Sequence, residues 1–210
     1  MNYNTMNLCL NDAFSSADTI MKGAYGEVRG PVSIPDYRRC VIKRFDETNS
    51  PEGDPTREHN RHKAAYQKMS GKCKKYMTRP LYVNGRFTVQ THAASRNAER
   101  VSTLREFVDK FQHNTEAMDA LSQEVTKALT CVLALGGSGV SHGNLHFGNI
   151  LVVYTSVQQP KIKIVDWGGG GWGNNETMAK YVQRQLRKRK QKSQSHSSNP
   201  SKSNPKLYSR

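Results

Sequence analysis

Residues 140–151, V-S-H-G-N-L-H-F-G-N-I-L, constrain the fold of this chain more than any other stretch. His142, Asn144, His146 and Asn149 crowd a short polar segment, and Ile150, Leu151, Val152 and Val153 follow as an apolar run. The pattern is that of a loop running into a buried strand. A second short apolar run, I-K-I-V, ends at Asp166, Trp167 and a series of glycines. Upstream, Met118, Leu121, Val125, Leu129 and Val132 recur at three- and four-residue steps, which predicts a helix over 115–135 stopped by Gly136 and Gly137. Polar groups leaving the ends of two adjacent buried strands can converge on one point. One or two carboxylate or amide oxygens delivered there suit a metal that also binds phosphate.

The N-terminal half reads as strands with one helix. Residues 1–16 are polar and Asn-rich and read as a loose lead-in. From Thr19, Gly23 and Gly26 fall between Ile20 and Val28, the pattern of a β-hairpin with a glycine turn. Small residues there let backbone N–H groups approach phosphate oxygens, although taken alone the pair describes an ordinary turn as well. In residues 38–45, R-R-C-V-I-K-R-F, strand alternation puts Cys40, Ile42 and Arg44 on one face and Val41, Lys43 and Phe45 on the other. Lys43 either snorkels to solvent or serves a site. Asp54 caps a predicted helix with Pro55 at its first position, and Glu58, His62, Ala65 and Met69 share a stripe. Glu58 either faces inward, where it needs a partner, or faces solvent at the positive end of the helix. Residues 76–83 and 86–92 predict two strands joined at Asn84 and Gly85. The small polar residues after His92 suit a hinge, and residues 101–110 predict a short helix.

Taken in order, these features resemble the protein-kinase-like superfamily over residues 19–168. His142 and Asn149 match the family loop H-x-D-x-x-x-x-N, and Asp166 with Trp167 and Gly168 matches D-F-G. Gly23, Gly26 and Val28 match the later part of the glycine-rich loop, with Met21 in place of its first glycine. The resemblance implies an α+β, kinase-like bilobal fold: an antiparallel β-sheet N-lobe with one main helix, and a reduced helical C-lobe. It divides the chain into a flexible terminus (1–16), N-lobe and hinge (17–97), reduced C-lobe (98–175), and basic helix with disordered tail (176–210). It also implies binding of ATP and Mg2+. Gly23, Gly26 and Val28 would cover the nucleotide, Lys43 paired with Glu58 would hold phosphates, and Asn149 and Asp166 would hold the metal. Catalysis would fall to Asn144, Lys43 and Asp166. Asn144 stands where the family has its catalytic Asp. An amide oxygen accepts a hydrogen bond but takes no proton, and general-base help is worth about 10²–10⁴-fold. The implied activity is therefore a serine/threonine protein kinase with weak or lost phosphotransfer, a pseudokinase. His146 is the candidate replacement base, beside a structural or solvated role. The residues after 168 carry no counterpart of the family's activation segment or A-P-E stretch.

The charge balance raises a second possibility. The chain of 210 residues has a formal net charge of +15. Ten Lys or Arg and no acid lie in residues 180–210, leaving about +5 for the rest. Such segments meet nucleic acid, anionic surfaces or import receptors. The alternative function is a non-catalytic nucleic-acid-binding or scaffolding module acting through residues 180–210. Residues 176–192 predict a basic amphipathic helix with Met178, Tyr181, Val182, Gln185 and Leu186 along one side, before a Ser/Asn/Pro/Lys-rich end that reads as disordered. The mean hydropathy of −0.76 fits a chain partly outside any core. Cys9, Cys40, Cys73 and Cys131 have no zinc-knuckle or C-x-x-C spacing, so reduced thiols are expected, with a disulfide left open. No signal peptide and no membrane-spanning run is evident, and an intracellular location, cytoplasmic or nuclear, is expected.

Overall fold

A computed structural model describes residues 3–23, 26–34, 37–46, 54–168 and 174–197. The fold is α+β, with five α-helices and two antiparallel sheets among the described residues. The first sheet contains β1 (Thr19–Gly23), β2 (Gly26–Ile34), β3 (Tyr37–Phe45), β4 (Pro80–Asn84) and β5 (Phe87–Thr91), in the order β1-β2-β3-β5-β4. The β4–β5 hairpin turns at Gly85, whose φ of 55° lies in the left-handed region that glycine enters without penalty. The first of these strands is shorter than expected. Lys74–Tyr76 is a 3-10 turn instead, and Met77 bridges to Ile164 of the other sheet.

Helix α1 (Tyr3–Ser16) corrects the loose lead-in. Its polar sequence hides a docking edge of two residues at helical spacing, Leu10 and Phe14, both fully buried against Ile34, Cys40, Ile42, Phe87 and Val89. The guanidinium carbons of Arg29 and Arg44 lie 4.7 and 4.5 Å from the Phe14 ring centroid. Such contacts are worth about 0.5–1 kcal/mol each at partly exposed sites. Glu27 accepts from Arg29 Nε at 2.9 Å and from Thr19 Oγ1 at 2.6 Å, which fixes the β1–β2 hairpin under the helix. With Cys40 and Ile42 turned to α1, strand alternation sends Val41 and Lys43 to the other side of the sheet.

On that side lies α2 (Pro55–Lys68), capped by the Asp54 carboxylate, which accepts from the N–H groups of Thr56 and Arg57. The second core gathers α3 (Leu104–Phe111), α4 (Thr115–Gly136), α5 (Asn175–Ser197) and the sheet β6-β7-β8, comprising Arg100–Thr103, Ile150–Tyr154 and Lys161–Ile164. The expected helix over 101–110 divides. Val101 pairs with Val153 as a strand, and Thr103 then caps α3 in a capping box with Glu106. All five residues of the expected α4 stripe are buried. The α5 stripe is narrower than expected: Met178, Val182 and Leu186 are buried with Ala179, whereas Tyr181 turns to solvent. The helix reaches Ser197, and the expected disordered end beyond it lies outside the described residues. Among the described residues, no helix is long and apolar enough to cross a membrane.

The expectation of four free thiols is corrected. Cys73, in the segment after α2, is disulfide-bonded to Cys131 on α4, with Cα atoms 5.6 Å apart. Folding brings together two residues whose separation of 58 gives no spacing signal. Cys9 and Cys40 are free. Constraining a loop of that length in the unfolded chain is worth about 4 kcal/mol in the chain-entropy account. Urea denaturation should therefore show stability falling by that order on adding reductant or in Cys131→Ser. Identical curves with and without reductant would contradict the cross-link.

Candidate functional site

A cleft of about 1380 Å3 opens between the first sheet and the loop that enters β7. Gly23, Gly26, Val28, Lys43, Glu58, Asn144, Asn149 and Asp166, all singled out by the sequence, line it. At its centre Lys43 Nζ donates to Glu58 Oε2 and, at 2.9 Å, to Asp166 Oδ1. Lys43 and Glu58 therefore both take their inward alternatives, with side chains only 17% and 10% exposed.

Local backbone explains how three distant charges meet. Alternation on β3 points Lys43 inward, and the first turn of α2 offers Glu58. Asp166 has a φ of 63°, the one positive value for a non-glycine among the described residues. That conformation costs of order 1 kcal/mol or more and tends to mark functional positions. Gly168, two residues on, has a packing reason. A Cβ on Gly168 would lie 3.0 Å from Glu58 Oε2 and 3.1 Å from its Cγ, so a side chain there would push the carboxylate away.

One ammonium between two carboxylates leaves a surplus negative charge when both acids are ionised. Burial pulls the Lys43 ammonium down, but Glu58 and Asp166 outweigh it and hold it above its ordinary range. Burial pushes the Asp166 carboxyl up, yet the adjacent Lys43 charge and its hydrogen bond leave it below the usual range. Burial pushes Glu58 up to about 7, with Lys43 opposing and Asp166 adding. Glu58 is thus the proton-labile member of the trio, as befits the most enclosed of its two acids.

The loop is held from inside. His142 is fully buried, donates from Nε2 to Val165 O at 2.9 Å, and packs 4.6 Å from the Trp167 ring. Asn149 Nδ2 donates to Asn144 O at 2.9 Å, and Val165 N donates to Asn149 O at 3.0 Å. The Asn149 Oδ1 thereby has no hydrogen-bond partner among the described residues. Among those residues no three His, Cys, Asp or Glu could hold a metal by themselves. The Asn149 amide and Asp166 carboxylate are hard oxygen donors of the kind Mg2+ takes when water and phosphate complete its shell.

His146 takes its structural alternative rather than that of a replacement base. Its Nδ1 accepts from Gly148 N at 2.9 Å, so the neutral ring carries its proton on Nε2 and offers no acceptor at its free edge. Gly26 also has a second role. A Cβ there would lie 2.1 Å from Arg44 O, so the glycine is demanded by close packing against β3 whatever binds in the cleft. The tip of the glycine turn, residues 24–25, and the glycines at 169–171 lie outside the described residues. Val28 and Val41 on the sheet side and Leu151 on the other complete an apolar part of the lining.

Asn175, first residue of α5, escaped the sequence reading. Its buried amide accepts from His142 N at 2.9 Å and Ser141 Oγ at 3.3 Å, and donates to Val132 O and Val140 O, both at 2.9 Å. One side chain ties α4, the loop and α5 together. The only signal in the sequence was an Asn pair preceding a helix, which reads as a cap. Comparison with protein-family models and with curated proteins returns no match.

Two outcomes follow from this geometry. Asn175→Ala should lose about 2–4 kcal/mol, since the buried His142 N and Val132 O and the half-buried Val140 O lose this hydrogen bond, and should expose the loop in hydrogen exchange. Unchanged stability would contradict the anchor. Burial holds His62 and His142 down at about 4 each. Between pH 6.5 and 4 the unfolded chain therefore binds more protons than the folded one, and stability falls as pH falls through that window. Urea midpoints should drop from pH 7 to 4.5 and drop less in His62→Gln. A drop as large in His62→Gln as in wild type would contradict the burial of that ring.

Proposed function

We propose that this chain is a kinase-like protein that binds ATP with Mg2+ in the cleft and transfers phosphate to neutral hydroxyls weakly or not at all. The observation that carries the proposal is Lys43 bridging Glu58 and Asp166 beside Asn149, reached from four separate parts of the chain. Lys43, positioned by Glu58, would contact the phosphates. Asn149 and Asp166 would hold the metal, which neutralises phosphate charge when bound. Val28, Val41 and Leu151 would sandwich the base. The two hydrophobic cores on either side of the cleft support a bilobal, kinase-like arrangement.

The acceptor side is weaker. Asn144 lines the cleft, and its side-chain amide has no hydrogen-bond partner among the described residues. It can orient a nucleophile but not deprotonate it, and neither His142 nor His146 stands in for the missing carboxylate.

Calorimetry should show ATP binding that requires Mg2+, with affinity reduced at least about tenfold in Lys43→Ala, where the phosphates and the Glu58 and Asp166 carboxylates lose their shared cation. Equal affinity in the variant, or none in the wild type, would sink the reading. With radiolabelled ATP and a serine peptide, Asn144→Asp should transfer about 10²-fold or more faster than wild type. Any wild-type transfer should vanish in Asp166→Ala.

The second reading, polyanion binding through α5, is supported by Arg184, Arg187 and Lys188, all exposed on that helix. Arg189 and Lys190 instead pair with Asp109 and Asp119. Removing residues 180–210 would also strip Val182 and Leu186 from the core, so charge reversal is the cleaner test. Arg184→Glu with Arg187→Glu and Lys188→Glu should abolish RNA or DNA retention at low salt. Retention that persists would exclude this surface.

A further inference from the structure

We propose that the acceptor this cleft serves is an oxygen already ionised at neutral pH, a phosphate monoester or a carboxylate, rather than a neutral hydroxyl. The inference rests on the ATP–Mg2+ reading above and names the substrate class of that same site.

Two independent features of the acceptor side point the same way. The first is the missing base on the loop that enters β7. Asn144 is neutral, His146 has its Nδ1 occupied by Gly148 N, and His142 is sealed inside by Val165 O and Trp167. Glu106, another acid of the lining, accepts at 2.7 Å from Thr103 N in its capping box, and Glu99 is committed to Lys161 and to the 95–96 backbone. A hydroxyl acceptor must lose its proton to something, whereas an ionised oxygen need not.

The second feature is cationic. Arg57 lines the cleft from the first turn of α2, is exposed, and has no ion-pair or hydrogen-bond partner for its side chain among the described residues. Neighbouring cations behave differently: Arg189 is spent on Asp109 and Lys161 on Glu99. An uncommitted guanidinium in the cleft wall, facing a loop with no carboxylate at position 144, fits an anionic partner, which it can grip bidentately. A carboxylate at position 144 would repel such an acceptor. The neutral amide donates to it instead.

The step balances without proton transfer. The acceptor O⁻ forms a bond to the γ-phosphorus, the bond from that phosphorus to the β–γ bridging oxygen breaks, and ADP leaves with the electron pair. A phosphate acceptor gives a phosphoanhydride and a carboxylate gives an acyl phosphate.

The test uses the full chain and three peptides differing at one position: serine, phosphoserine and glutamate. Binding is read by fluorescence anisotropy with a non-hydrolysable ATP analogue and Mg2+, and transfer with radiolabelled ATP. Label removed by neutral hydroxylamine identifies the acyl phosphate and separates the carboxylate source from the phosphate one. The phosphoserine or glutamate peptide should bind and be labelled about tenfold or more better than the serine peptide, and higher salt should weaken it. Arg57→Ala should weaken that binding about tenfold, with Arg57→Lys restoring part of it and melting curves unchanged. Asn144→Asp should reverse the preference towards serine. Equal or better labelling of the serine peptide by the wild type would overturn the inference. So would intact ATP–Mg2+ binding by calorimetry with no binding or labelling of either anionic peptide, and that result leaves the nucleotide reading standing. Absence of ATP–Mg2+ binding would overturn both.

Discussion

Everything in the cleft depends on one buried cation shared by two carboxylates. Lys43, Glu58 and Asp166 come from a strand, a helix and a loop separated by as many as 123 positions, and none of the three could be buried alone without a large desolvation cost. Together they neutralise one another except for one negative charge. The surrounding features serve that meeting: alternation on β3, the Asp54 cap on α2, the left-handed backbone at Asp166 and the bare Cα of Gly168. A largely enclosed ion trio is a poor source of stability compared with apolar packing. Its presence at the wall of a cleft is better explained by what it can hold than by what it adds to folding.

The loop facing the trio is held without a large helical foundation. Asn175 satisfies four groups with one amide, and Met178 Sδ accepts from Leu145 N at 3.1 Å. Below them the Arg189 guanidinium lies 5.6 Å from the Phe147 ring centroid. The basic helix is therefore two things at once: its inner side supports the loop, and its outer side carries exposed charge. The Cys73–Cys131 bond adds a second tie, between the end of the Glu58 helix segment and α4.

The parts legible in the sequence were those with local periodicity or short spacing. The α4 stripe, the Asp54 cap, the turn at Gly85 and the inward face of β3 all follow from rules that act within a few residues. The site residues were legible because their order along the chain is distinctive, although whether Lys43 and Glu58 faced inward was open until their partner was in place. What escaped acts across the fold. Two apolar residues on a polar helix gave no hint that α1 closes the back of the sheet. The disulfide joins cysteines with no informative spacing. Asn175 looks like an ordinary cap, and the occupied Nδ1 of His146 is set by a backbone turn that no residue pattern announces.

A trio that serves as a nucleotide–metal site should make the folded state respond to ATP and Mg2+ together, which thermal melting of wild type and Lys43→Ala with ATP, with Mg2+ and with both would reveal. Ligand at about a hundred times its Kd should add roughly 2.7 kcal/mol to the folded state. The melting temperature of wild type should rise clearly only when ATP and Mg2+ are present together, and that of Lys43→Ala should not rise. An equal rise in the variant, or no rise in wild type at saturating ATP and Mg2+, would contradict a nucleotide–metal site at the trio.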